Sequence, residues 1–317
     1  MSLLHLVIKN CDVDKNSTIT FLKRGFNDTY LITEPDNKKY IFRVYNNNRR
    51  NRRSINSELI MLAMMKHHTD IGVSEPIGCN DGALALAIEA PEGERTAVLF
   101  SFAEGQPVRK LSQEQSFLLG KETAKFHNYS LEYKRATIGL NYDIATQFAS
   151  MLTTLKPILK NYPEQFDYLL KLKKDFIETF VNADVSELAY GICHGDLQAE
   201  NIHFTNENKI TIFDFDFLGK GFLAYDIGVF IWYDHKNKTL QIIKSFIEGY
   251  ETERKLSATE LRLLPYFSTL RAVFQMTLYC QTNDGNYLPQ WQPKEVAAFV
   301  NKIKLWHEKQ SIAIISL

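Results

Sequence analysis

One segment constrains what this 317-residue chain can fold into more than any other. It reads Cys193-His194-Gly195-Asp196-Leu197-Gln198-Ala199-Glu200-Asn201-Ile202-His203-Phe204 and continues, after a short polar stretch, Ile210-Thr211-Ile212-Phe213-Asp214-Phe215-Asp216-Phe217. The two apolar runs flank Asn206-Glu207-Asn208, which predicts a hairpin with those polar residues at its tip. An aspartate stands before the hairpin, an asparagine five positions on, and a second aspartate thirteen positions after that. Between Tyr190 and Tyr233 short apolar stretches alternate with loops rich in Gly, Asp and Asn, inside a half of the chain that otherwise reads as helical. Such an irregular acidic insertion is a place for chemistry more than for packing.

The first hundred residues have a different character. Thr18 to Thr33 is β-branched and aromatic with one interruption at Gly25, which predicts two strands around a glycine turn. Pro35-Asp36-Asn37 makes a turn before a third strand over Tyr40 to Tyr45. From Ser54 the apolar residues Ile55, Leu59, Met61, Leu62 and Met65 recur at helical spacing, closing near His67-His68. Asp81-Gly82 separates two further extended runs, the second ending at Ala97 to Phe102. The opening is thus an antiparallel βββαββ unit. After Ala103-Glu104-Gly105-Gln106-Pro107 helices are expected near 112–129, 143–156, 163–182, 237–254, 258–281 and 293–309. That change sets the expected domains at 1–103 and 104–317.

Composition narrows the partners. With 45% apolar and 23% charged residues the chain is neither disordered nor low-complexity, and its length suffices for two cores. Lys plus Arg and Asp plus Glu are 37 each, so no global field draws it to nucleic acid or an anionic membrane. Arg49-Arg50-Asn51-Arg52-Arg53, the one basic cluster, reads as a solvated helix start. Cys11, Cys79, Cys193 and Cys280 lie far apart, which predicts reduced thiols and neither a disulfide framework nor a zinc site. Residues 3–8 are followed at once by Lys9, Asp12 and Asp14, unlike a secretory signal. The apolar run Ala83 to Ala90 is far shorter than the roughly 20 residues of a membrane helix. A soluble cytoplasmic protein with no membrane or nucleic-acid partner is expected; the oligomeric state is not legible.

The residue types in the constraining segment suit phosphoryl transfer. That reaction needs Mg²⁺ held by oxygen ligands to offset phosphate charge, and a carboxylate to orient the attacking hydroxyl and take its proton. Asn201 and Asp214 are hard oxygen donors at the two ends of one expected hairpin, and Asp196 stands at the mouth of the loop.

On these residues, H-G-D-x-x-x-x-N followed by an apolar strand and D-F-D-F, the chain resembles the aminoglycoside phosphotransferase and choline kinase family. With Gly219-x-Gly221 before Tyr225-Asp226 it is most similar to the type II homoserine kinase branch. The resemblance implies an α+β, protein-kinase-like fold of two lobes, an antiparallel-sheet N-lobe that binds ATP and a mainly helical C-lobe with the catalytic and metal loops. It implies Asp196 as the catalytic base, Asn201 and Asp214 as Mg²⁺ ligands, and Asp216 as a second metal ligand or a support. His194 and Asp226 would brace the catalytic loop. Arg43 falls at the strand position of the family's phosphate-holding basic residue, commonly Lys, with Glu58 fifteen residues later as its ion-pair partner. Gly25-Phe26-Asn27-Asp28-Thr29-Tyr30 resembles the glycine turn over the nucleotide. Leu99 to Phe102, with Phe100 and Phe102, looks like the adenine-contacting hinge, and Gly120 to His127 like the G-x-x-x-A-x-x-H helix. Together these elements cover residues 18–235.

The implied partner is a small-molecule acceptor with a hydroxyl: homoserine, an amino alcohol, a sugar or an aminoglycoside. Asp234, Glu248 and Glu251 would suit a polycationic acceptor, and Arg271 an acceptor's carboxylate. Two rivals are a Ser/Thr protein kinase of the same fold and a nucleotide-binding module without turnover. Gly195, where protein kinases usually carry Arg, and the lack of A-P-E after the metal loop count against the first; intact Asp196, Asn201 and Asp214 count against the second.

Overall fold

The computed structural model describes residues 2–46, 50–91, 93–133, 139–207, 209–234, 240–281 and 291–313. Arg49, Asn208, the expected helix start at 237 and the side chain of Asp234 lie outside the described residues. In chain order the elements begin α1 (Leu3–Asn10), β1 (Thr18–Arg24), β2 (Asp28–Thr33), β3 (Lys39–Val44), α2 (Arg52–His68), β4 (Leu86–Ala90), β5 (Gly93–Ser101) and β6 (Gln106–Pro107). There follow α3 (Gln113–Glu132), β7 (Leu140–Asn141), α4 (Ile144–Ile158), α5 (Pro163–Val181), β8 (Tyr190–Cys193), β9 (Ile202–Phe204) and β10 (Ile210–Ile212). The chain ends with β11 (Gly219–Phe222), α6 (Ala224–Asp234), α7 (Leu240–Glu251), α8 (Ala258–Gln281) and α9 (Pro293–Ala313).

Two compact units form: Met1–Pro107 with Ala136–Gly139 and Ile202–Phe213, and Val108–Arg135 with Leu140–Asn201 and Asp214–Leu317. The first unit is built on a five-stranded sheet in the order β1-β2-β3-β5-β4, antiparallel at every pairing. Alternation of apolar residues along these strands places Ile32, Tyr40, Phe42, Val44, Ile88, Ala97 and Leu99 in one buried cluster. Val7 of α1, a helix the sequence reading had not expected, joins that cluster with Cys11 and Val13, which follow the helix. Ser2 caps it by accepting from the His5 N–H at 3.3 Å. At eight residues α1 is too short to form by propensity alone, so its apolar side chains against the sheet are what hold it. The β9–β10 hairpin joins this unit: β9 pairs with β6, and the Ile212 N–H donates to Gly72 O at 2.8 Å.

The second unit is helical around a small sheet, β7-β11-β8. Helices α3 and α7 approach closely at two glycines. A Cβ at Gly120 would collide with the Phe246 carbonyl, and one at Gly249 with the Phe117 carbonyl. Helix α8 buries residues on most of its circumference, including Leu263, Leu264, Phe267, Leu270, Val273 and Met276. The sequence reading had expected only short stretches and loops up to Tyr233, whereas the structure has α6 there. Tyr225, Ile227, Val229, Phe230, Ile231 and Trp232 are all buried, so the helix is apolar around its whole girth and shows no polar face to betray its period. Among the described residues no helix is long and apolar enough to cross a membrane.

Candidate active site

The constraining segment lies where β8 ends. β11 runs antiparallel to β8 with Gly219 opposite Cys193, so the chain leaving β8 at His194 is a neighbour of the chain entering β11 from Asp214–Leu218. Asp226, at the start of α6 and wholly buried, pins this loop. Its Oδ2 accepts from the His194 N–H at 2.7 Å and its Oδ1 from the Gly195 N–H at 2.8 Å. His127 Nε2, from α3, lies 3.0 Å from Asp226 Oδ2, and His127 Nδ1 lies 2.7 Å from the Tyr250 hydroxyl. Three segments far apart in sequence thus meet on one carboxylate. His194 turns its ring onto Phe215 at 4.4 Å, and its Nδ1 accepts from the Asp196 N–H at 3.2 Å.

Gly195 has φ +79, and a side chain there would run into the Tyr142 hydroxyl and the Phe217 carbonyl. Both reasons require glycine at this position. Tyr142 itself donates to the Phe217 carbonyl and stacks on Tyr225 at 4.4 Å. Burial raises its phenol pKa well above 10.0, which keeps it a donor.

Asp196 is buried and its carboxylate is held at both oxygens. Oδ2 accepts from Gln198 Nε2 and from Asn201 Nδ2, each at 2.9 Å; Asn201 Nδ2 also reaches the Asp196 carbonyl at 2.9 Å. Oδ1 accepts from Arg271 Nη2 at 2.5 Å. Arg271 comes from α8, donates from Nη1 to Gly195 O at 3.1 Å, and shares Nη2 with the Tyr233 hydroxyl at 2.5 Å. Its guanidinium lies 5.1 to 5.6 Å from the ring centres of Tyr233, Phe274 and Phe217. Burial opposes the Arg271 charge, but Tyr233, Asp196 and Tyr225 outweigh burial and hold its pKa well above the ordinary arginine value. The role suggested for Arg271 from sequence, receiving an acceptor's carboxylate, is therefore already filled by Asp196.

Asn201 closes a 3₁₀ turn over Ala199–Asn201, with its amide nitrogen committed to Asp196. Its Oδ1 is the atom left as a ligand. The register Ile202 opposite Ile212 puts the residues flanking the hairpin, Asn201 before β9 and Asp214 after β10, at the same end of it. Asp214 has φ 66 and ψ 61, the left-handed region, and heads a 3₁₀ turn over Phe215–Phe217 that contains Asp216. For a residue with a Cβ that conformation costs about 1–2 kcal/mol and persists only where the surroundings over-determine it. Among the described residues no three His, Cys, Asp or Glu side chains form a metal-holding group. An amide oxygen and one carboxylate still fit Mg²⁺, which commonly takes one or two protein ligands and fills its shell with phosphate oxygens and water.

The remaining expected residues belong to the first unit. Arg43 on β3 is buried, opposite Thr29 on β2 and Val98 on β5, with its guanidinium 5.8 Å from the Phe100 ring centre. Glu58 on α2 is buried and ion-paired with Arg50, a partner sequence reasoning had missed; the Tyr45 hydroxyl donates to it at 3.4 Å. Gly25 lies in the β1–β2 turn, and Asn27 beside it accepts on Oδ1 from the Asn46 N–H at 3.1 Å. Phe100 is on β5; Phe102 follows it and sits 6.5 Å from the His203 ring. Glu248 and Glu251 stand on α7, where Glu251 accepts from the Leu256 N–H, and neither lines the cavity next to Asp196.

Residues 18–264 match the family described as phosphotransferase enzyme family. A protein of Synechocystis described only as uncharacterised is 29% identical over 283 residues, 89% of this chain and 78% of that protein. A homoserine kinase of Sinorhizobium fredii is 26% identical over 266 residues, 80% of this chain and 76% of that enzyme. The solved structure of amicoumacin kinase hAmiN in complex with AMP-PNP, Ca²⁺ and Ami has a TM-score of 0.73 at 21% identity, covering 96% of this chain and 93% of that one. At that identity the likeness is one of fold.

Proposed function

The chain belongs to the phosphotransferase enzyme family, and from that premise we propose that it moves the γ-phosphoryl group of ATP, with Mg²⁺, onto a hydroxyl of a small molecule. The observation that carries this reading is the Asp196 carboxylate. A carboxylate offers about four lone-pair sites. Arg271, Gln198 and Asn201 occupy three of them, two on Oδ2 and one on Oδ1. The second site on Oδ1 is left for the acceptor's hydroxyl, whose proton Asp196 takes as the new O–P bond forms and the bond from the γ-phosphorus to the β-bridging oxygen breaks to release ADP.

In this reading Asn201 Oδ1 and Asp214 hold the metal. The ion, when bound, draws charge from the phosphate oxygens. Arg43 contacts the phosphates through a guanidinium in place of the family's usual ammonium, a wider and planar head. Glu58, with Arg50, orders that part of the unit. Gly25 and Asn27 shape the turn over the nucleotide, and Phe100 and Phe102 flank the nucleobase. Asp216 supports the metal loop or adds a ligand. His194 and Asp226 keep Asp196 in place, so the chain's part in catalysis is positioning and charge stabilisation. Residues 1–103 would be the nucleotide-binding part and 104–317 the part with the base and metal ligands. The relatives' activities, kinases of homoserine and amicoumacin, support a small-molecule acceptor, and the AMP-PNP and Ca²⁺ in one of them support a nucleotide with a dication.

The test is ADP release from Mg·ATP by purified protein across a panel of amino acids, amino alcohols, sugars and aminoglycosides. At least one acceptor is expected to stimulate release. The Asp196→Asn variant should bind nucleotide yet lose about 10²–10⁴-fold in turnover; undiminished turnover in that variant would refute the assignment.

A further inference from the structure

Two thiols that stand 68 positions apart in sequence meet in the first unit. Cys11, directly after α1, and Cys79, ahead of β4, form an antiparallel bridge, and the Cys11 thiol donates to Cys79 Sγ at 3.8 Å. The backbone around them is fixed. The Cys11 N–H donates to the Val7 carbonyl at 2.8 Å and the Cys79 N–H to the Ala83 carbonyl at 2.7 Å. The bond across the bridge runs from the Asn80 N–H to the Asn10 carbonyl, at 2.8 Å, between the neighbours of the two cysteines. The cysteines are therefore a pair of the kind whose backbones exchange no hydrogen bond, whose Cα atoms approach to about 4.5 Å and whose side chains stand closest. A disulfide needs Cα atoms about 4.4–6.8 Å apart. The two sulfurs, thiols in this structure, need only about 2 Å of further approach to reach bonding distance.

The partners differ in access. Cys11 is 2% exposed and belongs to the buried cluster of the sheet, whereas Cys79 is half-buried between the exposed residues Gly78 and Asn80. Burial raises the Cys79 thiol, and the hydrogen bond from Cys11 opposes that rise; burial and the neighbouring Cys79 push Cys11 up to about 12. Cys79 is thus the thiol that a reagent reaches and whose thiolate has a donor to favour it. Cys193 and Cys280 belong to the second unit, where Cys193 is wholly buried with its thiol donating to the Phe222 carbonyl at 3.4 Å.

We propose that Cys11 and Cys79 are a disulfide-forming pair, a modification site at which a low-molecular-weight disulfide staples the end of α1 to the turn ahead of β4. The Cys79 thiolate attacks one sulfur of the reagent, releases one small thiolate and holds the other half as a mixed disulfide. The Cys11 thiolate then attacks Cys79 Sγ, the protein S–S bond forms and the second small thiolate leaves. The two protons of the protein thiols pass to the two released thiolates. The protein pair loses two electrons and the reagent gains them. α1 has eight residues, so a covalent bond at its end changes how often it opens. The ring that closes runs through β1, β2, β3 and α2, and its closure removes entropy from the unfolded chain.

The full chain is incubated with oxidised glutathione at pH 8.5, quenched with N-ethylmaleimide in denaturant and mapped by peptide mass spectrometry without reduction. Two of the four thiols should disappear, one linked peptide pair should carry Cys11 and Cys79, and dithiothreitol should restore both. In Cys11→Ser, Cys79 should keep one glutathione, because no second thiol displaces it. In Cys79→Ser, neither an internal bond nor an adduct on Cys11 should form. Amide exchange over residues 3–10 should slow by about tenfold or more in the oxidised chain, and its urea midpoint should rise. Four free thiols after incubation, glutathione kept on wild-type Cys79 without an internal bond, or linkage through Cys193 or Cys280 would each overturn the assignment. A Cys11–Cys79 bond that leaves exchange in α1 and the urea midpoint unchanged would overturn the stapling role. Wild-type mapping and Cys79→Ser alone decide the assignment where Cys11→Ser fails to fold.

Discussion

Arg271 Nη2 donates to Asp196 Oδ1 at 2.5 Å, and the two charges meet where their residues are 2% and 6% exposed. The partners lie 75 positions apart in sequence. A buried pair of this kind adds little net stability over apolar residues of the same shape, but losing one member strands the other charge without water. Its consequence here is orientation: with Arg271 on one oxygen and Gln198 and Asn201 on the other, the Asp196 carboxylate cannot rotate without breaking charge-assisted bonds.

Asp196→Asn and Arg271→Met should each cost about 3–5 kcal/mol in unfolding free energy, because each leaves its partner buried and uncompensated. The double variant should lose less than the sum, by about 1–3 kcal/mol. Urea denaturation of the four proteins closes the cycle, and strict additivity would show that the contact is not an energetic pair.

Removing the dication with EDTA should abolish ADP release, and excess Mg²⁺ should restore it. Asp214→Ala is expected to bind nucleotide with little dependence on Mg²⁺, as followed by a fluorescent ATP analogue. A magnesium titration identical to wild type would remove Asp214 from the ligand set.

Asp226→Asn replaces one acceptor oxygen by an NH₂ group that must face the His194 or Gly195 N–H, donor against donor. The expected result is a loss of about 3 kcal/mol in stability. Turnover should drop while the nucleotide dissociation constant stays near wild type, and amide exchange at residues 194 and 195 should quicken. Unchanged exchange at those two amides would argue that the carboxylate does not pin the loop.

Alkaline pH should destabilise the protein. Burial raises the Cys193 thiol well above its ordinary 9.0 and the Tyr142 phenol well above 10.0. In that range the native state keeps protons that the unfolded chain releases. Their contribution to stability is therefore complete below pH 9 and declines as pH rises beyond 9 to 10 toward the native values. Urea midpoints at pH 7, 8, 9, 10 and 11 measure this; a midpoint that did not fall above pH 9 would contradict it.

Much of the architecture was legible because it is local. β-Branched and aromatic content foretold β2 and β3, an extended apolar run foretold β5, and the residues around Asn206-Glu207 foretold the β9–β10 hairpin. The contact between Asp196 and Asn201 spans only five residues and is made within one loop. What stayed hidden has specific reasons. α6 has apolar residues on every side and so no periodic stripe, and α1 is held by the sheet it covers. Arg50 was read as part of a solvated basic run, yet it is an ion-pair partner of the buried Glu58.

By itself the sequence determined most of the order of elements and which short-range groups share the catalytic loop, since backbone geometry and spacing over a few residues control both, and its motifs carried the resemblance to the family. Only the tertiary structure decided that Arg271 of α8 stands on Asp196 and that one Asp226 carboxylate gathers His127, His194 and Gly195. Those partners are brought together by how helices cross and bury one another. A buried charge must then be satisfied by whatever side chain the packing delivers, however distant in sequence.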